Sequence, residues 1–529
     1  MNSIRSKWKH SFRQNDVMIR RLPTVAVPFV AALAAATLAL SGCQLLPSPT
    51  PPAPVPVGAE EYYSQTLNWE PCGENEDQFC ASATAPIDWD APAEGTIELA
   101  VIKQPASGTK QGSLLINPGG PGGSGWDSVY YGGANSVSAD VAEVYDVIGW
   151  DPRGVGQSTP VECYTSDAEV DDLLYGTYAS PYGTSEWLDE LTVVQQDFAA
   201  ACLENTGALL GHLDAASNAR DMDMLRAVLG DEKLNYLGYS YGTFFGAVYA
   251  ALFPQNVGRL VLDGAVDPLV GDAEALIVQM AGFDSAFRAY MEFCLDGEGC
   301  PFTGGVDEAL LQARDVLEAA DARGLVNADG RVFDSATLGT AIAGNLYSET
   351  YWQDMTDMFV ALNVDDPSLS FLYADYYNTR LEDGTYDGNG TAVYIAASCA
   401  DGDFVTDDST TLERIDEIDA AAPILGKFFA YDDFAVLDTA CTNWPVPAGD
   451  LPTNFEALGA APILVIGTTN DPATPYANSV SLANQLSSGV LISYEGEGHT
   501  IYNQGVSCID DVVGAFFVSG VVPTEDPDC

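Results

Sequence analysis

The sequence predicts an α/β fold, in which a mostly parallel, doubly wound sheet carries an inserted helical cap. Short apolar runs alternate with helical stretches through most of the chain, as the strands of a parallel sheet alternate with their covering helices. Residues 269–395 interrupt that alternation with helical spacing, many aromatic residues and few strand signals. With 47% hydrophobic residues among 529, the chain can fill a large core, which excludes global disorder.

Seven runs rich in Val, Ile and Leu have the length of strands that are covered on both faces. They lie at 97–102, 114–117, 145–151, 234–239, 259–262, 463–467 and 490–494. Helical spacing is found at 218–229 and 241–253 between these runs, and at 309–322 within the cap. The predicted core therefore has two parts, residues 61–268 before the cap and residues 396–529 after it.

An export signal is predicted at residues 1–42. Residues 1–21 contain six basic side chains and one acidic side chain, and an apolar run follows at 22–40. The run ends in Leu40-Ser41-Gly42-Cys43, which resembles a bacterial lipobox, where the cysteine receives lipid and becomes the new N-terminus. We therefore expect Cys43 to anchor the protein on the extracellular side of the cell membrane, with release to the medium as the alternative.

A membrane-spanning signal anchor is the competing interpretation, since 19 residues are just enough to cross a bilayer. Pro23 and Pro28 disfavour an uninterrupted helix there, so the lipid anchor is preferred. Either Met1 or Met18 fits as the start of the signal. Residues 43–60 are rich in proline, and we expect them to form an extended linker that holds the folded body off the membrane.

The charge balance excludes one class of partner. A formal net charge of −56 repels phosphate backbones, so we expect no nucleic acid partner. Cationic groups are favoured ligands, although keeping an exported protein soluble, even in salty surroundings, is a simpler explanation of the charge. The oligomeric state has no signal in the sequence.

Ten cysteines follow Cys43, and an even number in an exported chain predicts disulfide bonds. Pairing of nearest neighbours closes short loops and leaves no thiol over, with one or two crossed pairs as the alternative. The predicted pairs are Cys72 with Cys80, Cys163 with Cys202, Cys294 with Cys300, Cys399 with Cys441, and Cys508 with Cys529. Because no C-x-x-C motif occurs and only two histidines lie beyond the signal, we expect no metal site and no cofactor.

The first catalytic candidate is Ser240, in Gly238-Tyr239-Ser240-Tyr241-Gly242. The motif lies between the predicted strand 234–239 and the predicted helix 241–253, where a sharp turn exposes a serine hydroxyl. Glycines flank the serine because side chains at those positions would collide with neighbouring elements. Backbone N–H groups and the positive end of the helix dipole lie beside any oxyanion formed there. A plain Gly/Ser turn is the alternative.

A glycine-rich loop, residues 117–125, directly follows the predicted strand 114–117. Glycines let a backbone approach a ligand and turn its N–H groups inward, as an oxyanion hole requires. We expect Gly120 to be one donor, with Gly119 close behind, and the N–H of Tyr241 to be the other. A flexible loop without a catalytic part is the alternative.

A serine nucleophile needs a base, and a histidine base needs an orienting carboxylate. The chain order serine, acid, histidine selects His499 over His212, which precedes Ser240. Asp471 follows the predicted strand 463–467 and is the preferred acid. Asp263 also ends a predicted strand and is the rival, although we expect it to brace the entrance to the cap.

Taken together, these motifs resemble the secreted tripeptidyl aminopeptidases of actinobacteria, which are α/β-hydrolase serine exopeptidases related to prolyl aminopeptidases. The resemblance extends from about residue 60 to the C-terminus. It implies a serine nucleophile at Ser240, an aspartate at Asp471, a histidine at His499 and a cap over the site. The matching segments are 117–125, Asp151-Pro152-Arg153-Gly154-Val155-Gly156-Gln157-Ser158, 238–243, 262–268, 471–475 and 498–500.

The resemblance has one departure. Prolyl aminopeptidases carry a histidine before the first glycine pair, where this chain has Asn117-Pro118, so their substrate preference does not transfer. The resemblance implies release of tripeptides from peptide substrates with free N-termini. An esterase or lipase with the same triad is one alternative, because some relatives act on esters. A surface-binding lipoprotein without activity is the other.

An aminopeptidase must also hold the α-ammonium group of its substrate. Carboxylates near the mouth of the cap could do so, and the candidates are Glu349, Asp354, Asp401 and Asp403. Glu349 and Asp401 are preferred. A solvated carboxylate without a ligand is the simpler interpretation of each, since the chain carries 76 acidic residues.

Overall fold

Nine strands form one sheet in the computed structural model, which describes residues 55–73, 75–402 and 408–529. In chain order, β1 to β9 are Glu70–Cys72, Asn75–Pro86, Thr96–Gln104, Gly112–Asn117, Tyr145–Trp150, Leu234–Tyr239, Val257–Asp263, Ile463–Asn470 and Gly489–Glu497. Their order across the sheet is β1-β2-β3-β5-β4-β6-β7-β8-β9. The predicted signal, Cys43 and Asp403 lie outside the described residues.

The fold class that the sequence predicts is confirmed. All seven predicted strands are present, and β4 to β9 pair in parallel. β1 and β2 were not predicted and extend the sheet by antiparallel pairing. β2 lacks a Val, Ile and Leu run, because its sequence Asn75–Pro86 begins with polar residues and continues with small ones, and only part of it is buried.

Helices cover the sheet, and one of them illustrates how the sequence sets their ends. The helix Ser185–Thr206 begins after Thr184, whose side chain accepts a hydrogen bond from the Trp187 N–H, and ends at Gly207, whose φ is 68°. In chain order the helices α1 to α18 of the described residues are Glu60–Ser64, Gly125–Gly132, Ala139–Val144, Asp167–Tyr175, Ser185–Thr206, Ala215–Val228, Tyr241–Leu252, Asp272–Asp296, Val306–Ala320, Ser335–Leu346, Trp352–Leu362, Ser368–Tyr377, Gly390–Asp401, Asp408–Ala421, Gly426–Phe429, Ala435–Thr442, Tyr476–Gln485 and Ser507–Ser519.

The helical insertion between β7 and β8 runs from Asp272 to Thr442, whereas the predicted cap ends at residue 395. The insertion extends further because α14 packs Ile415 and Ile418 into the hydrophobic cluster to which α8 to α12 also contribute. A single π-helical turn, Ala430–Phe434, continues from α15 into α16. In contrast, α13 packs its apolar residues into the cluster beneath the sheet, so it joins the insertion to the core.

Five disulfide bonds join the nearest-neighbour pairs that the sequence predicts. The two that close the longest loops, Cys163–Cys202 and Cys399–Cys441, join cysteines 39 and 42 positions apart. Within the described ranges, no helix is both long and apolar enough to span a bilayer. The same ranges hold no group of three His, Cys, Asp or Glu side chains arranged to bind a metal ion.

Candidate active site

Ser240 occupies the turn between β6 and α7, as the sequence predicts. Its φ of 54° and ψ of −126° are unusual for a residue with a side chain and cost about 1–3 kcal/mol. The turn is held because the Ser240 N–H donates to the Asp263 carbonyl at 2.9 Å. A Cβ on Gly238 would lie 2.5 Å from the Gly242 carbonyl oxygen, which explains the small residues around the serine. Ser240 itself remains partly exposed.

His499 and Asp471 form a close pair at the ends of β9 and β8. The histidine Nδ1 lies 2.9 Å from each carboxylate oxygen, and the side chains are 6% and 0% exposed. Burial opposes protonation of the ring, but the Asp471 charge and hydrogen bond, helped by Asp263, raise the pKa of His499 above its usual value. Because Nδ1 donates to the carboxylate, Nε2 carries the lone pair that a general base needs.

The buried Nε2 of His499 has no hydrogen-bond partner among the described residues, so a direct bond to the Ser240 hydroxyl is not formed here. Ser240 and His499 nevertheless both contact the end of β7. Asp263 accepts the N–H of Ser240, and a Cβ on the next residue, Gly264, would lie 3.1 Å from the His499 ring. Catalytic hydrogen bonds of unliganded enzymes are often long and tighten on substrate binding.

Thr474 adds a further contact to the histidine–aspartate pair, and the sequence did not single it out. Its hydroxyl donates to Asp471 at 3.0 Å and lies 3.3 Å from Nδ1 of His499. The N–H groups of Ala473 and Thr474 also donate to Asp471, each at 2.9 Å. The carboxylate is thereby fixed from two sides. The Asp-x-x-Thr spacing after a strand was the available signal, because such spacing allows a side chain to bond the turn that follows it.

Asp263 was expected to brace the entrance to the cap, and that expectation is wrong. Its fully buried carboxylate instead accepts the N–H groups of Ile501 and Tyr502, at 2.9 and 2.8 Å, directly after the strained Thr500, whose φ is 60°. β7 ends between the strands that carry Ser240 and Asp471, and this position brings the Asp263 side chain beneath the histidine loop. Burial raises the pKa of Asp263 to about 6. Its other oxygen is buried and has no hydrogen-bond partner in the part of the chain that the structure describes.

The glycine-rich loop lies against Ser240. A Cβ on Gly119, whose φ is 92°, would lie 2.9 Å from both the Ser240 Cβ and the Tyr241 nitrogen, so only glycine fits. The Gly119 N–H donates to the Asn117 side chain at 2.9 Å, and its carbonyl accepts from Gly123 at 3.0 Å. The Gly120 N–H makes no hydrogen bond with a described residue. This arrangement favours Gly120 over Gly119 as an oxyanion donor, which stays a prediction.

The segment that begins Asp151-Pro152-Arg153 supports that loop from behind. Asp151 accepts bonds from the Ser124 hydroxyl at 2.5 Å and from the Trp126 and Gln157 N–H groups. Arg153 lies fully buried against Asp221, with paired contacts of 2.8 and 2.7 Å. It also donates to the His212 carbonyl at 2.9 Å, so the structure places the second histidine in this supporting network.

Two candidate substrate contacts occupy different settings. Asp401 accepts a short hydrogen bond from the Tyr241 hydroxyl and a 2.7 Å bond from the Ala215 N–H, so it anchors the residue after the nucleophile. Glu349 is exposed, and its charge adds to the burial that raises the pKa of Glu497. Neither position tests the ammonium contact, which stays a prediction for both residues. Asp354 lies on α11, partly exposed.

One cap residue that the sequence did not identify touches His499, the predicted base. The Tyr347 carbonyl accepts a hydrogen bond from the backbone N–H of His499 at 2.9 Å. The two side-chain rings meet edge to face, with centroids 5.2 Å apart. The insertion therefore helps to hold the base in place. Tyr347 had no distinguishing signal in the sequence, because it is one of many aromatic residues in that segment.

The arrangement as a whole defines a class. An accessible serine on a strained strand-to-helix turn, with a histidine held by a buried aspartate at the same edge of a parallel sheet, is the site of a serine hydrolase.

The profile of the α/β hydrolase fold matches residues 112–506, and the chain belongs to that family. Serine protease Hip1 of Mycobacterium tuberculosis is 36% identical over 532 residues, covering 94% of this chain and 96% of the relative. Carboxylesterase B of the same species is 36% identical over 496 residues, covering 91% and 92%. Tripeptidyl aminopeptidase of Streptomyces lividans is 29% identical over 486 residues, covering 88% and 86%. These relatives confirm the resemblance to actinobacterial serine exopeptidases and the predicted class, a serine peptidase-type α/β hydrolase.

Proposed function

We propose that this chain is a serine aminopeptidase that releases tripeptides from free N-termini through an acyl-enzyme on Ser240. The observation that carries the proposal is the His499–Asp471 pair, bonded at 2.9 Å beside the strained serine turn. The name of the Streptomyces relative, tripeptidyl aminopeptidase, supports the substrate class. Peptides with free N-termini are thus the proposed substrates, without a cofactor.

In the proposed reaction, His499 Nε2 takes the proton of the Ser240 hydroxyl as the oxygen attacks the scissile carbonyl. The N–H groups of Gly120 and Tyr241 stabilise the oxyanion. The imidazolium then gives its proton to the leaving amine as the C–N bond breaks, which leaves the ester on Ser240. Water, deprotonated by His499, attacks that ester and releases the peptide acid, and the proton returns to Ser240. Asp471 holds the ring in the required tautomer throughout.

Tripeptide anilides with free N-termini, the same anilides with acetylated N-termini, and short-chain acyl esters would test this function. We expect rapid cleavage of the free tripeptide anilides and much slower cleavage of the acetylated ones. Single amino acid anilides serve as the length control. Turnover of the esters alone would contradict the peptidase proposal.

A carboxylesterase is the second candidate, and the observation that favours it is the 36% identity to Carboxylesterase B. Its chemistry is the same acyl transfer with an alcohol as the leaving group, so the triad does not separate the two candidates. An inactive surface-binding protein is a third possibility from a different class. Failure of the purified chain to react with a fluorophosphonate probe would favour it.

We also propose that the enzyme is exported and anchored through lipid on Cys43. Five disulfide bonds support an oxidising compartment outside the cytoplasm. The experiment is growth with an alkyne-tagged fatty acid, which should label the wild-type chain in the membrane fraction. Cys43→Ala should abolish the label and prevent retention through lipid. Labelling that persists in Cys43→Ala would contradict the proposed anchor.

A further inference from the structure

A carboxylate that the sequence did not single out lies among three tyrosines of the insertion, and one of these tyrosines contacts His499. Asp433, on the π-helical turn Ala430–Phe434, accepts a hydrogen bond from the Tyr394 hydroxyl at 2.5 Å. Tyr347, which packs on His499, meets Tyr377 edge to face with ring centroids 6.0 Å apart and hydroxyls 3.5 Å apart. We call Asp433, Tyr347, Tyr377 and Tyr394 the Asp433 cluster.

The Asp433 cluster borders the active centre on two sides. Tyr347 connects it to His499, through the ring contact and the bond from the His499 N–H to the Tyr347 carbonyl. Tyr394 lies on α13, whose first turn packs on the glycine-rich loop. A Cβ on Gly122 would lie 2.8 Å from the Gly390 carbonyl oxygen and 3.3 Å from the Val393 side chain. The cluster thus lies between the base and the predicted oxyanion loop.

Side chains of the Asp433 cluster are surrounded by protein yet remain accessible. Tyr377 keeps 45% of its surface exposed, although burial raises the pKa of its hydroxyl. Asp433 is also partly exposed, and burial raises its pKa too. The cluster therefore combines access to solvent with a contact to His499, which Tyr347 makes.

No positive charge compensates this carboxylate within the described residues. Burial raises the pKa of Asp433 and the Tyr394 hydrogen bond lowers it, and no Lys, Arg or His side chain of the described residues contributes to the shift. Residues 403–407, which are not described, contain no basic residue. Elsewhere in the insertion a carboxylate of similar exposure, Asp375, is paired with Arg331 at 2.7 Å. The neighbouring Asp432 accepts a bond from Thr340, and burial raises its pKa to about 7.

We propose that Asp433 receives the α-ammonium group of the substrate, flanked by Tyr347, Tyr377 and Tyr394. A carboxylate gives such a group a charge-assisted hydrogen bond, and aromatic faces attract it further. This inference rests on the proposed aminopeptidase function and assigns its ammonium contact to a residue other than Glu349 and Asp401. A fixed ammonium contact also limits product length, because three extended residues reach only about 10 Å.

The test compares Asp433→Asn with the wild-type protein on paired substrates. Asparagine preserves the acceptor for Tyr394 but removes the charge. We expect kcat/KM for a free tripeptide anilide to fall about 10²-fold, mainly through KM, while hydrolysis of a short acyl ester changes less than about 2-fold. Asp357→Asn makes the same change at an exposed cap position and is the matched control, with no change on either substrate expected.

Two further measurements keep the inference falsifiable. If the enzyme proves to be an esterase, a free tripeptide should still inhibit ester hydrolysis competitively, more strongly than its acetylated form, and Asp433→Asn should abolish that difference. If Asp433→Asn does not fold, Tyr377→Leu at an exposed position should weaken the free-amine substrate about 3-fold. Equal losses on amine and ester substrates, or none on either, would overturn the proposal.

Discussion

Asp263 is predicted to position the base through the backbone of the histidine loop. It joins two parts of the site, because its carbonyl holds the Ser240 N–H and its carboxylate holds the N–H groups of Ile501 and Tyr502. Two substitutions separate these roles. Asp263→Ala removes the carboxylate acceptor altogether, whereas Asp263→Asn keeps one oxygen that can accept both bonds and removes only the charge.

The structure sets the size of the expected effects. In Asp263→Ala, two buried N–H groups lose their acceptor at about 1–3 kcal/mol each, so the free energy of unfolding should fall by about 2–6 kcal/mol. The loop that carries His499 then loses the two hydrogen bonds that directly follow the strained Thr500. A displacement of the base by about 1 Å would lower kcat about 10²-fold. Asp263→Asn should retain most of the stability and much of the activity.

The charge of Asp263 has a separate signature in the pH profile. That charge helps raise the pKa of His499, together with Asp471, and Tyr347 is the other titratable side chain packed on the ring. Catalysis needs neutral His499, so the acid limb of kcat/KM follows its pKa. Removing the charge in Asp263→Asn should move that limb to lower pH. Glu495→Gln, an exposed change four residues before His499, is the matched control and should shift it little.

The free energy of unfolding should also depend on the titration of Asp263. The pKa of Asp263 is raised to about 6 in the folded chain, above its unfolded value, so the folded state binds the proton more tightly. Its contribution to the free energy of unfolding is therefore present below about pH 4 and is lost as the pH rises through about 6. Urea titrations between pH 4 and 7 should show this loss in the wild type and not in Asp263→Asn. An unshifted acid limb in Asp263→Asn, with full activity in Asp263→Ala, would refute the reasoning.

Three other predictions follow from contacts described above. Thr474→Val should lower kcat about 10-fold by removing the hydroxyl bond to Asp471, while Thr474→Ser should restore it, both measured with the best anilide. Arg153→Met should lower the free energy of unfolding by about 3–5 kcal/mol, because it leaves the buried Asp221 carboxylate without its positive partner. The kcat of the molecules that remain folded, counted by active-site titration, should not change. Replacing Cys399 and Cys441 by alanine should lower the free energy of unfolding by about 4 kcal/mol, against about 2 kcal/mol for Cys294 and Cys300, since the paired cysteines are 42 and 6 positions apart. Equal losses in urea denaturation would contradict the loop-entropy account.

Much of the core could be predicted because strands covered on both faces leave a continuous apolar signal. β4 is buried along its whole length and β6 along most of it, and these strands lead into the glycine-rich loop and Ser240. β2 shows no such signal, because its pairing with β3 rather than its composition makes it a strand. Helices continue beyond residue 395, the predicted end of the cap, because α14 is rich in charged residues yet packs Ile415 and Ile418 into the cluster of the insertion.

The site shows the same division between local and tertiary information. Ser240 and the glycine-rich loop carry local motifs, and chain order added Asp471 and His499. Contacts that arise from tertiary packing are not marked by a sequence motif. For this reason Asp263 was predicted to lie at the entrance to the cap, and Tyr347 was not distinguished from the other aromatic residues of the cap. Asp433 illustrates the limit most directly, because this one acid among 76 is distinguished by the tyrosines around it and by the lack of a neighbouring positive charge among the residues that the structure covers.

The most direct test of the central claim is the site at which a fluorophosphonate attaches, mapped by peptide mass spectrometry. The account predicts one stoichiometric adduct on Ser240, no adduct in Ser240→Ala, and labelling slowed by about 10³-fold or more in His499→Ala. A quantitative adduct on another residue, or labelling of Ser240→Ala at the wild-type rate, would contradict it.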